Sequence, residues 1–473
     1  MTFLSRAGSR YVQVVGAVGA AVALAAGGQL ANGPAAPTAA ARTAVSGTVS
    51  TAVSNRTAPS SATAAAGAAA RVRAAAATQR RWVASWQGSP TAAGTFPGAS
   101  CPSPQGLRNQ TVRNIVTGSV GGDRVRVRLT NAFGARPLDV GRATVAVQRS
   151  GARVQPGTMR QLRFGGHRTI TIPPGAQALS DPLRLTVRPM QKLAVSVYLP
   201  NATGPATQHF FAIQDNYLSG AGDHALAGSA GAFPTTITCW LFASGVDVRA
   251  VSRVRGTVVA LGDSITDGAE STQNADHRYP NFLARRLNAR TGPTLSVVNA
   301  GLSGDEVLIA REPALFGPGA VARLPRDVIA QPKVRTAIFL EGINDIGAEG
   351  ATARQLIAAH RQVIAQLHAQ GIRVMGATLT PFGGSNPRFG GEYGTARGDR
   401  ERRILNHWIR TSGEYDAVVD FDRVTRDPAH PENMRADYDS GDHLHPGDVG
   451  YEAMARAIDL PTLLTLAGVR SAG

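Results

Sequence analysis

Lysine is almost missing from this 473-residue sequence, in which Lys192 and Lys333 are the only two. The formal net charge of +17 is therefore carried almost entirely by arginine, and the arginines are scattered among strand-like and helix-like segments instead of forming one run. A concentrated basic stripe is what a nucleic-acid-binding protein is expected to show. We therefore interpret the charge as a coding bias toward arginine and alanine and expect no nucleic-acid partner. Nucleic-acid binding is the minor alternative.

Long hydrophobic runs are also scarce. The run near the start extends from about Val12 to Ala26 behind Arg6 and Arg10, is diluted by glycine and is followed by small residues. It is shorter than the roughly 20 apolar residues that a membrane-spanning helix needs, and its layout is typical of a secretory signal peptide. We therefore predict a signal peptide over residues 1–31 and a secreted protein with no stable membrane insertion after cleavage. A membrane anchor is the alternative.

Large apolar residues are nearly absent from residues 32–80, which are rich in alanine, threonine, serine and proline. A segment of this composition cannot bury enough apolar surface to offset the entropy that it would lose on folding. We therefore predict a disordered spacer and assign no function to it.

Cysteine is equally rare, because Cys101 and Cys239 are the only two in the chain. Both fall within residues 81–251, which we predict below to form one domain. An even pair in an exported chain favours one disulfide. Two buried free thiols are the alternative.

The hydrophobic pattern changes character near residue 251. Between residues 81 and 251 apolar and polar residues alternate, as in DRVRVRLTNAF (123–133) and QKLAVSVYLP (191–200), with glycine and proline at the breaks. Many short segments of period two are typical of antiparallel strands. We therefore predict a β-sandwich-like accessory domain over residues 81–251.

In the second half, residues 252–473, short β-branched runs alternate with helical patterns. The runs are TVVAL, TLSVV, TAIFL, IRVMGATLT and AVVDF, beginning at residues 257, 294, 336, 372 and 417, and the helical patterns span 278–290, 351–370 and 397–410. Strands separated by helices favour a parallel, doubly wound sheet, in which sites form beyond the carboxyl ends of the strands. The predicted fold class is therefore α/β, with helices on both faces of a five-stranded parallel sheet.

Residues suited to acyl transfer follow these predicted strands. Ser264 lies just past the first strand, Gly304 past the second and Asn344 past the third. Near the C-terminus, Asp442 precedes His445 by three residues in a loop bounded by glycine and proline. Because the carboxyl ends of parallel strands share one edge of a sheet, we expect all five residues at that edge.

Cleavage of an ester through an acyl-enzyme needs a nucleophile, a base, a carboxylate that orients the base, and hydrogen-bond donors for the oxyanion. Ser264, His445 and Asp442 would fill the first three roles. The backbone N–H groups of Ser264 and Gly304, with the side-chain amide of Asn344, would form the oxyanion hole. Taken singly, each residue has an ordinary explanation in a turn or a solvated loop, so the hypothesis depends on their conjunction.

The segments that carry these residues are GDSIT, NAGLSGD, GIND and DHLHP, and they resemble the four sequence blocks of the SGNH, or GDSL, hydrolase family. In that match the five residues named above take the roles just given. Ile265 stands where the family name implies leucine, a conservative change. The resemblance covers about residues 257–464. It implies a flavodoxin-like sheet, no cofactor and the hydrolysis of carboxylic esters.

The first half resembles, more loosely, the sandwich-like module that precedes this catalytic domain in exported actinobacterial members of the family. That resemblance is carried by TIPPGA, LAVSVYLP and GVDV. A G-x-S-x-G nucleophile elbow is absent from the chain, which argues against an ordinary α/β-hydrolase.

His443 is the competing base, because it adjoins Asp442. A carboxylate orients a histidine more readily across a turn than from the adjacent residue, and His445 is followed by the proline that the family has there. Asp442, His443 and His445 could instead form a metal cluster. We expect no metal, since a serine, an amide and glycines supply no good further ligands.

Together these features predict a secreted serine ester hydrolase whose partner is an ester substrate, either an acylated polysaccharide or a lipid. Short-chain or acetyl esters on carbohydrate are the leading substrates, and a lipase acting on longer acyl esters is the alternative within the enzyme class. The alternative from another class is a carbohydrate-binding surface protein with an inactive hydrolase half. Aromatic residues of the first half could stack on sugars, although core positions are the better explanation for most of them. These residues are Trp82, Trp86, Phe210, Phe211, Tyr217 and Trp240.

Overall fold

The computed structural model describes residues 82–469, and the predicted signal peptide (1–31) and spacer (32–80) lie outside the described residues. Residues 82–469 belong to one compact unit. Within this part of the chain, no helix has the length and apolar character that a membrane crossing requires.

The β-rich region, residues 82–251, consists of antiparallel strands, as the period-two pattern predicts. Its strands are β1 Trp82–Gln87, β2 Gln110–Gly118, β3 Gly122–Thr130, β4 Leu138–Val140, β5 Arg142–Ser150, β6 Arg153–Val154, β7 Arg160–Gln161, β8 Ile170–Ile172, β9 Gln177–Leu179, β10 Leu183–Val187, β11 Gln191–Leu199, β12 Gln208–His209, β13 Asn216–Ala221, β14 Thr235–Ile237, β15 Trp240–Leu241 and β16 Ala243–Ala250.

Two larger sheets and two short ribbons make up this region. One sheet has the order β1-β16-β3-β10, with β9 also pairing with β3, and the other has the order β14-β13-β2-β11-β5-β6, with β7 pairing with β5. The ribbons are β12-β15 and β4-β8. Val127 of β3 and Val195 of β11 are fully buried in one apolar core that both sheets share. The predicted antiparallel β-rich architecture is confirmed.

Cys101 and Cys239 form a disulfide, with their Cα atoms 5.7 Å apart. Cys239 is fully buried beside β15, so the bridge ties the loop around residue 101 to the core of the β-rich region. The expected disulfide is therefore present, and the alternative of two free thiols is wrong.

The second half contains a five-stranded parallel sheet in the order β18-β17-β19-β20-β21. Its strands are β17 Val254–Gly262, β18 Thr294–Gly301, β19 Val334–Leu340, β20 Arg373–Ala377 and β21 Ala417–Val419. Of these five strands, β18 follows β17 in sequence but lies at the edge of the sheet beside it. This arrangement is the flavodoxin-like strand order. Val259 of the inner strand β17 pairs with Val298 on one side and Ala337 on the other. The predicted α/β fold is confirmed.

Helices cover the sheet. They are α1 Ser264–Asp267, α2 Tyr279–Ala289, α3 Ala320–Leu324, α4 Ile343–Gly347, α5 Ala353–Ala369, α6 Asn386–Phe389, α7 Ala396–Thr411, α8 Phe421–Thr425, α9 Asp448–Ala457 and α10 Leu460–Leu466, with a 3-10 turn at Ala314–Phe316 and a π-helical turn at Pro325–Ile329. A capping box between Thr352 and Gln355 starts α5. Gly371, with φ at +69°, follows its end, as expected of a glycine that stops a helix.

The two regions are packed directly against each other, with three residues connecting β16 to β17. The backbone N–H of Ala84 donates to Thr257 Oγ1 at 3.3 Å. The side chain of Gln87 donates to the carbonyl of Asp327 at 2.8 Å. Both hydrogen bonds are buried, so the first strand of the β-rich region is part of the support beneath the parallel sheet.

Candidate active site

Ser264 begins α1, the one-turn helix that follows the inner strand β17. The side chain of Asp263 accepts a hydrogen bond from the backbone N–H of Ile265 at 2.8 Å and so caps this turn. Gly268 ends it with φ at +99°, a conformation that favours glycine. The turn is therefore held at both ends, and it places Ser264, a residue that is 6% exposed, at the carboxyl edge of the sheet.

A continuous line of hydrogen bonds joins Ser264, His445 and Asp442. The Oγ of Ser264 lies 2.8 Å from His445 Nε2, and His445 Nδ1 lies 2.7 Å from Asp442 Oδ2. The other oxygen of Asp442 accepts the backbone N–H of His445 at 2.8 Å. A carboxylate at Nδ1 favours the tautomer whose Nε2 is a lone-pair acceptor, so His445 can accept the serine proton.

Asp442 is ionised in this arrangement. Burial acts to raise its pKa, but the hydrogen bond and charge of His445, together with backbone N–H donors, outweigh burial and hold the pKa well below its usual value. A carboxylate that keeps its charge can stabilise an imidazolium formed at His445.

The side chain of Asn344 contacts the loop that carries Gly304. Asn344 Nδ2 donates to the carbonyl of Asp305 at 2.8 Å, and Asp305 directly follows Gly304. An amide nitrogen carries two hydrogens, so one N–H of Asn344 is left for a ligand. Gly304 has φ at +82°, and a Cβ placed there would come within 2.3 Å of the Phe316 ring. Glycine is therefore required at this point of the loop.

His443, the competing base, is oriented away from this line. Its Nδ1 lies 2.6 Å from Asp439 Oδ2, and the side chain is largely exposed. In residues 82–469 no group of three or more His, Cys, Asp or Glu side chains is placed to hold a metal ion. The structure therefore joins His445, and not His443, to Ser264.

Sequence reasoning missed residues that hold the site in place. The Tyr393 hydroxyl donates to Asn344 Oδ1 at 2.6 Å. Asp267 accepts from the backbone N–H of Ser303 at 3.2 Å and from its hydroxyl at 2.7 Å. Asp267 directly follows the GDSIT motif of Ser264, but no feature of the sequence indicates that its carboxylate reaches the loop of Gly304.

Buried carboxyl groups lie beneath the site. Burial raises the pKa of Asp263 to about 7, against the opposing effects of the Ile265 N–H and the charge of His445. Arg323, fully buried, donates to Asp305 Oδ2 at 2.7 Å and to Glu341 Oε1 at 3.2 Å. Burial also raises the pKa of Glu341 well above its usual value.

Residues 260–453 match the family model described as GDSL-like Lipase/Acylhydrolase family. Together with the parallel sheet, this match defines a GDSL-like acylhydrolase domain. The enzyme is a carboxylic ester hydrolase. No curated protein matches the sequence of the chain.

Two solved structures with similarity to this chain each cover less than half of it. A carbohydrate acetylesterase family member from Sinorhizobium meliloti is 17% identical, with 45% of this chain and 100% of that chain covered and a TM-score of 0.37. The native M. smegmatis aryl esterase is 17% identical, with 43% of this chain and 95% of that chain covered and a TM-score of 0.35.

Proposed function

We propose that this protein is a secreted serine esterase in which Ser264 is the nucleophile, His445 the general base and Asp442 the carboxylate that orients His445. The observation that carries the proposal is the line of hydrogen bonds from Ser264 Oγ through the His445 ring to Asp442. We keep the division into an accessory domain over 81–251 and a hydrolase domain over 252–473 as part of the proposal.

The proposed reaction uses this line of hydrogen bonds. Ser264 Oγ attacks the acyl carbonyl while His445 Nε2 takes its proton, and the carbonyl oxygen becomes an oxyanion. The N–H groups of Ser264 and Gly304 and the Asn344 amide stabilise that charge. The C–O bond to the alcohol then breaks, and His445 returns the proton to the leaving oxygen. Water, deprotonated by His445, attacks the acyl-enzyme in the same way and releases the acid.

Short acyl groups are the proposed substrates. The space beside Gly304 is filled by the Phe316 ring, to which a Cβ on that glycine would approach within 2.3 Å. Phe210 of the β-rich region packs against Phe316, with ring centroids 6.0 Å apart, so the ring is supported from behind. This wall leaves little room for a long chain next to the oxyanion hole.

A lipase acting on longer acyl esters is the second candidate, because apolar side chains are exposed around the site. Phe389 is 36% exposed, and its ring centroid lies 5.9 Å from that of His445. Leu308 and Ile309, in the loop after Gly304, are also exposed. These residues could receive an acyl chain that runs away from Phe316.

Carbohydrate is the proposed alcohol part, although most of the candidate stacking residues are buried. Trp82, Trp86, Phe210 and Trp240 belong to the core of the β-rich region. Phe389, at the rim beside His445, is the exposed ring on which a sugar could stack. Binding would then occur at the hydrolase domain.

Export is proposed from the layout of residues 1–31, and the Cys101–Cys239 disulfide supports it. Structural disulfides form and persist mainly in oxidising compartments.

Turnover of p-nitrophenyl esters from acetate to laurate by the purified protein tests this proposal, with Ser264→Ala as the control. We expect the highest kcat/KM on acetate and loss of nearly all turnover in Ser264→Ala. Release of acetate from acetylated xylan tests the alcohol part. A preference for laurate would favour the lipase. No turnover, together with retention on polysaccharide, would favour the binding protein, and full activity in Ser264→Ala would refute the nucleophile.

A further inference from the structure

His209 of the β-rich region contacts the helix that carries Ser264. Its side chain is 3% exposed. Its Nδ1 lies 2.9 Å from the carbonyl oxygen of Ser89, and its Nε2 lies 3.0 Å from Asp267 Oδ1. Asp267 is the last residue of α1, the helix that begins at Ser264. One histidine therefore connects the β-rich region to the turn of the proposed nucleophile.

Both ring nitrogens of His209 face oxygen atoms that accept hydrogen bonds. A carbonyl oxygen can only accept, so the nitrogen facing Ser89 carries a hydrogen. A neutral ring would then direct the lone pair of Nε2 at the carboxylate of Asp267. A doubly protonated ring avoids this repulsion and pairs its charge with that of Asp267.

The surroundings of His209 favour the same protonation state. Burial acts to lower the pKa of the ring, and the charge of Arg278 acts in the same direction. The charge of Asp267 and the hydrogen bonds to Asp267 and Ser89 outweigh both effects, so the pKa of His209 is raised.

The second oxygen of Asp267 holds the loop of the proposed oxyanion hole. Oδ2 accepts both hydrogen bonds from Ser303, at 3.2 Å from its backbone nitrogen and 2.7 Å from its hydroxyl. Ser303 directly precedes Gly304. The two segments are in close contact, because a Cβ on Gly301 would lie 2.2 Å from the backbone nitrogen of Asp267. Asp267 thus joins His209 on one side to the loop of Gly304 on the other.

The geometry points to His209 as a positioning residue for ester hydrolysis: its protonated ring fixes the Asp267 carboxylate, which holds Ser303 and Gly304 where the oxyanion forms. The β-rich region then sets the rate of the hydrolase through this contact. The inference rests on the proposed roles of Ser264 and Gly304. It assigns to the β-rich region a function that does not depend on carbohydrate binding.

Alanine variants of His209 and Asp267, alone and combined, test this inference with p-nitrophenyl acetate. Displacement of an oxyanion donor weakens the stabilisation of the transition state but leaves binding of the ester unchanged. We therefore expect His209→Ala to lower kcat by roughly 10- to 100-fold with little change in KM. Because both residues act through one contact, the double variant should be no slower than Asp267→Ala alone. His167→Gln, at an exposed histidine of the same region, is the control and should keep the wild-type kcat.

Asp267→Asn adds a test that a merely structural contact would not pass. An amide in place of the carboxylate can donate to the lone pair of a neutral His209 and still accept from Ser303. We therefore expect Asp267→Asn to recover most of the kcat that Asp267→Ala loses. Wild-type kcat in folded His209→Ala, or losses that multiply in the double variant, would overturn the inference. If the inference fails in this way while Ser264→Ala is inactive, the proposed function still holds. An active Ser264→Ala would contradict the proposed function itself.

If an alanine variant does not fold, the protonation state of His209 can be measured in the wild-type protein instead. Nitrogen NMR of protein labelled with [15N]histidine should show both ring nitrogens of His209 protonated at pH 7.5, with exposed His167 as the reference signal. A ring whose Nε2 carries no proton would contradict the ion pair on which the inference depends.

Discussion

The Tyr393 hydroxyl and the Asn344 side chain form a hydrogen bond of 2.6 Å that fixes which way the asparagine amide faces. The hydroxyl donates to Oδ1, so Nδ2 is directed to the opposite side, where it donates to the carbonyl of Asp305. Burial raises the pKa of Tyr393 above its usual value, so the hydroxyl keeps its proton. A tyrosine outside the four sequence blocks thereby orients a donor of the proposed oxyanion hole.

Tyr393→Phe should therefore reduce turnover without removing any group that contacts the ester. With Oδ1 unpaired, the Asn344 amide can rotate, and we expect kcat on p-nitrophenyl acetate to fall about tenfold, less than the roughly 100- to 1000-fold of a lost donor. KM should change little. Tyr217→Phe, at a half-buried tyrosine of the β-rich region, is the matched control. Equal kcat values in the two variants would contradict the orienting role of Tyr393.

Asn344→Ala should lower kcat by roughly 100- to 1000-fold, and Asn344→Asp should be slower still because a negative charge would face the oxyanion. The two hydrogen bonds to Tyr393 and Asp305 add a second effect. Their loss should also destabilise the fold by about 1–3 kcal/mol, so a lower melting temperature does not count against the oxyanion role. The deciding measurement is kcat at a temperature where the variant is fully folded. A wild-type kcat there would exclude Asn344 from the oxyanion hole.

The strands of the parallel sheet could be predicted from the sequence because they read as short runs rich in apolar and β-branched residues, and all except the edge strand β21 are mostly buried. The run that begins at residue 294 coincides with the start of β18, and the run at 417 coincides with that of β21. Ser264, Asp442 and His445 could be placed because their motifs lie at strand ends or within one short loop. The residues that support them could not be placed in this way.

His209 and Tyr393 show why. His209 is 58 residues from Asp267, and Tyr393 is 49 residues from Asn344. Each contact depends on how loops from separate elements pack, and no periodic pattern encodes that packing. Asp267 is close to Ser264 in sequence, but its role depends on a strand of the β-rich region, so proximity alone did not reveal it.

Reduction of the Cys101–Cys239 disulfide should destabilise the protein. The bridge spans 138 residues, and closing a loop of this length restricts the unfolded chain by an amount worth roughly 2–5 kcal/mol. We expect the melting temperature to fall when dithiothreitol is added. The double variant Cys101→Ala/Cys239→Ala should melt at the same lower temperature with or without the reductant. Two thiols alkylated in the native, exported protein would contradict the bridge.

Glu306 should make the protein less stable as the pH rises. The side chain is 1% exposed, and within residues 82–469 neither carboxyl oxygen has a hydrogen-bond partner, although Arg311 Nε lies 3.4 Å away. Burial, followed by the charge of Asp345, raises the pKa of Glu306 to about 8. The folded protein therefore holds a proton that the unfolded chain, with a pKa of about 4.3, releases earlier.

Because the folded state binds more protons than the unfolded state between these two values, this carboxyl lowers the free energy of unfolding progressively as the pH rises from about 4.3 toward 8. Glu306→Gln removes that dependence, since an amide stays neutral. We expect urea unfolding to show the variant close to wild type at pH 5 and more stable than wild type at pH 9. Glu452→Gln, at an exposed glutamate of α9, should show no such gain with pH. A difference between Glu306→Gln and wild type that is the same at both pH values would mean that Glu306 does not change its charge over this range.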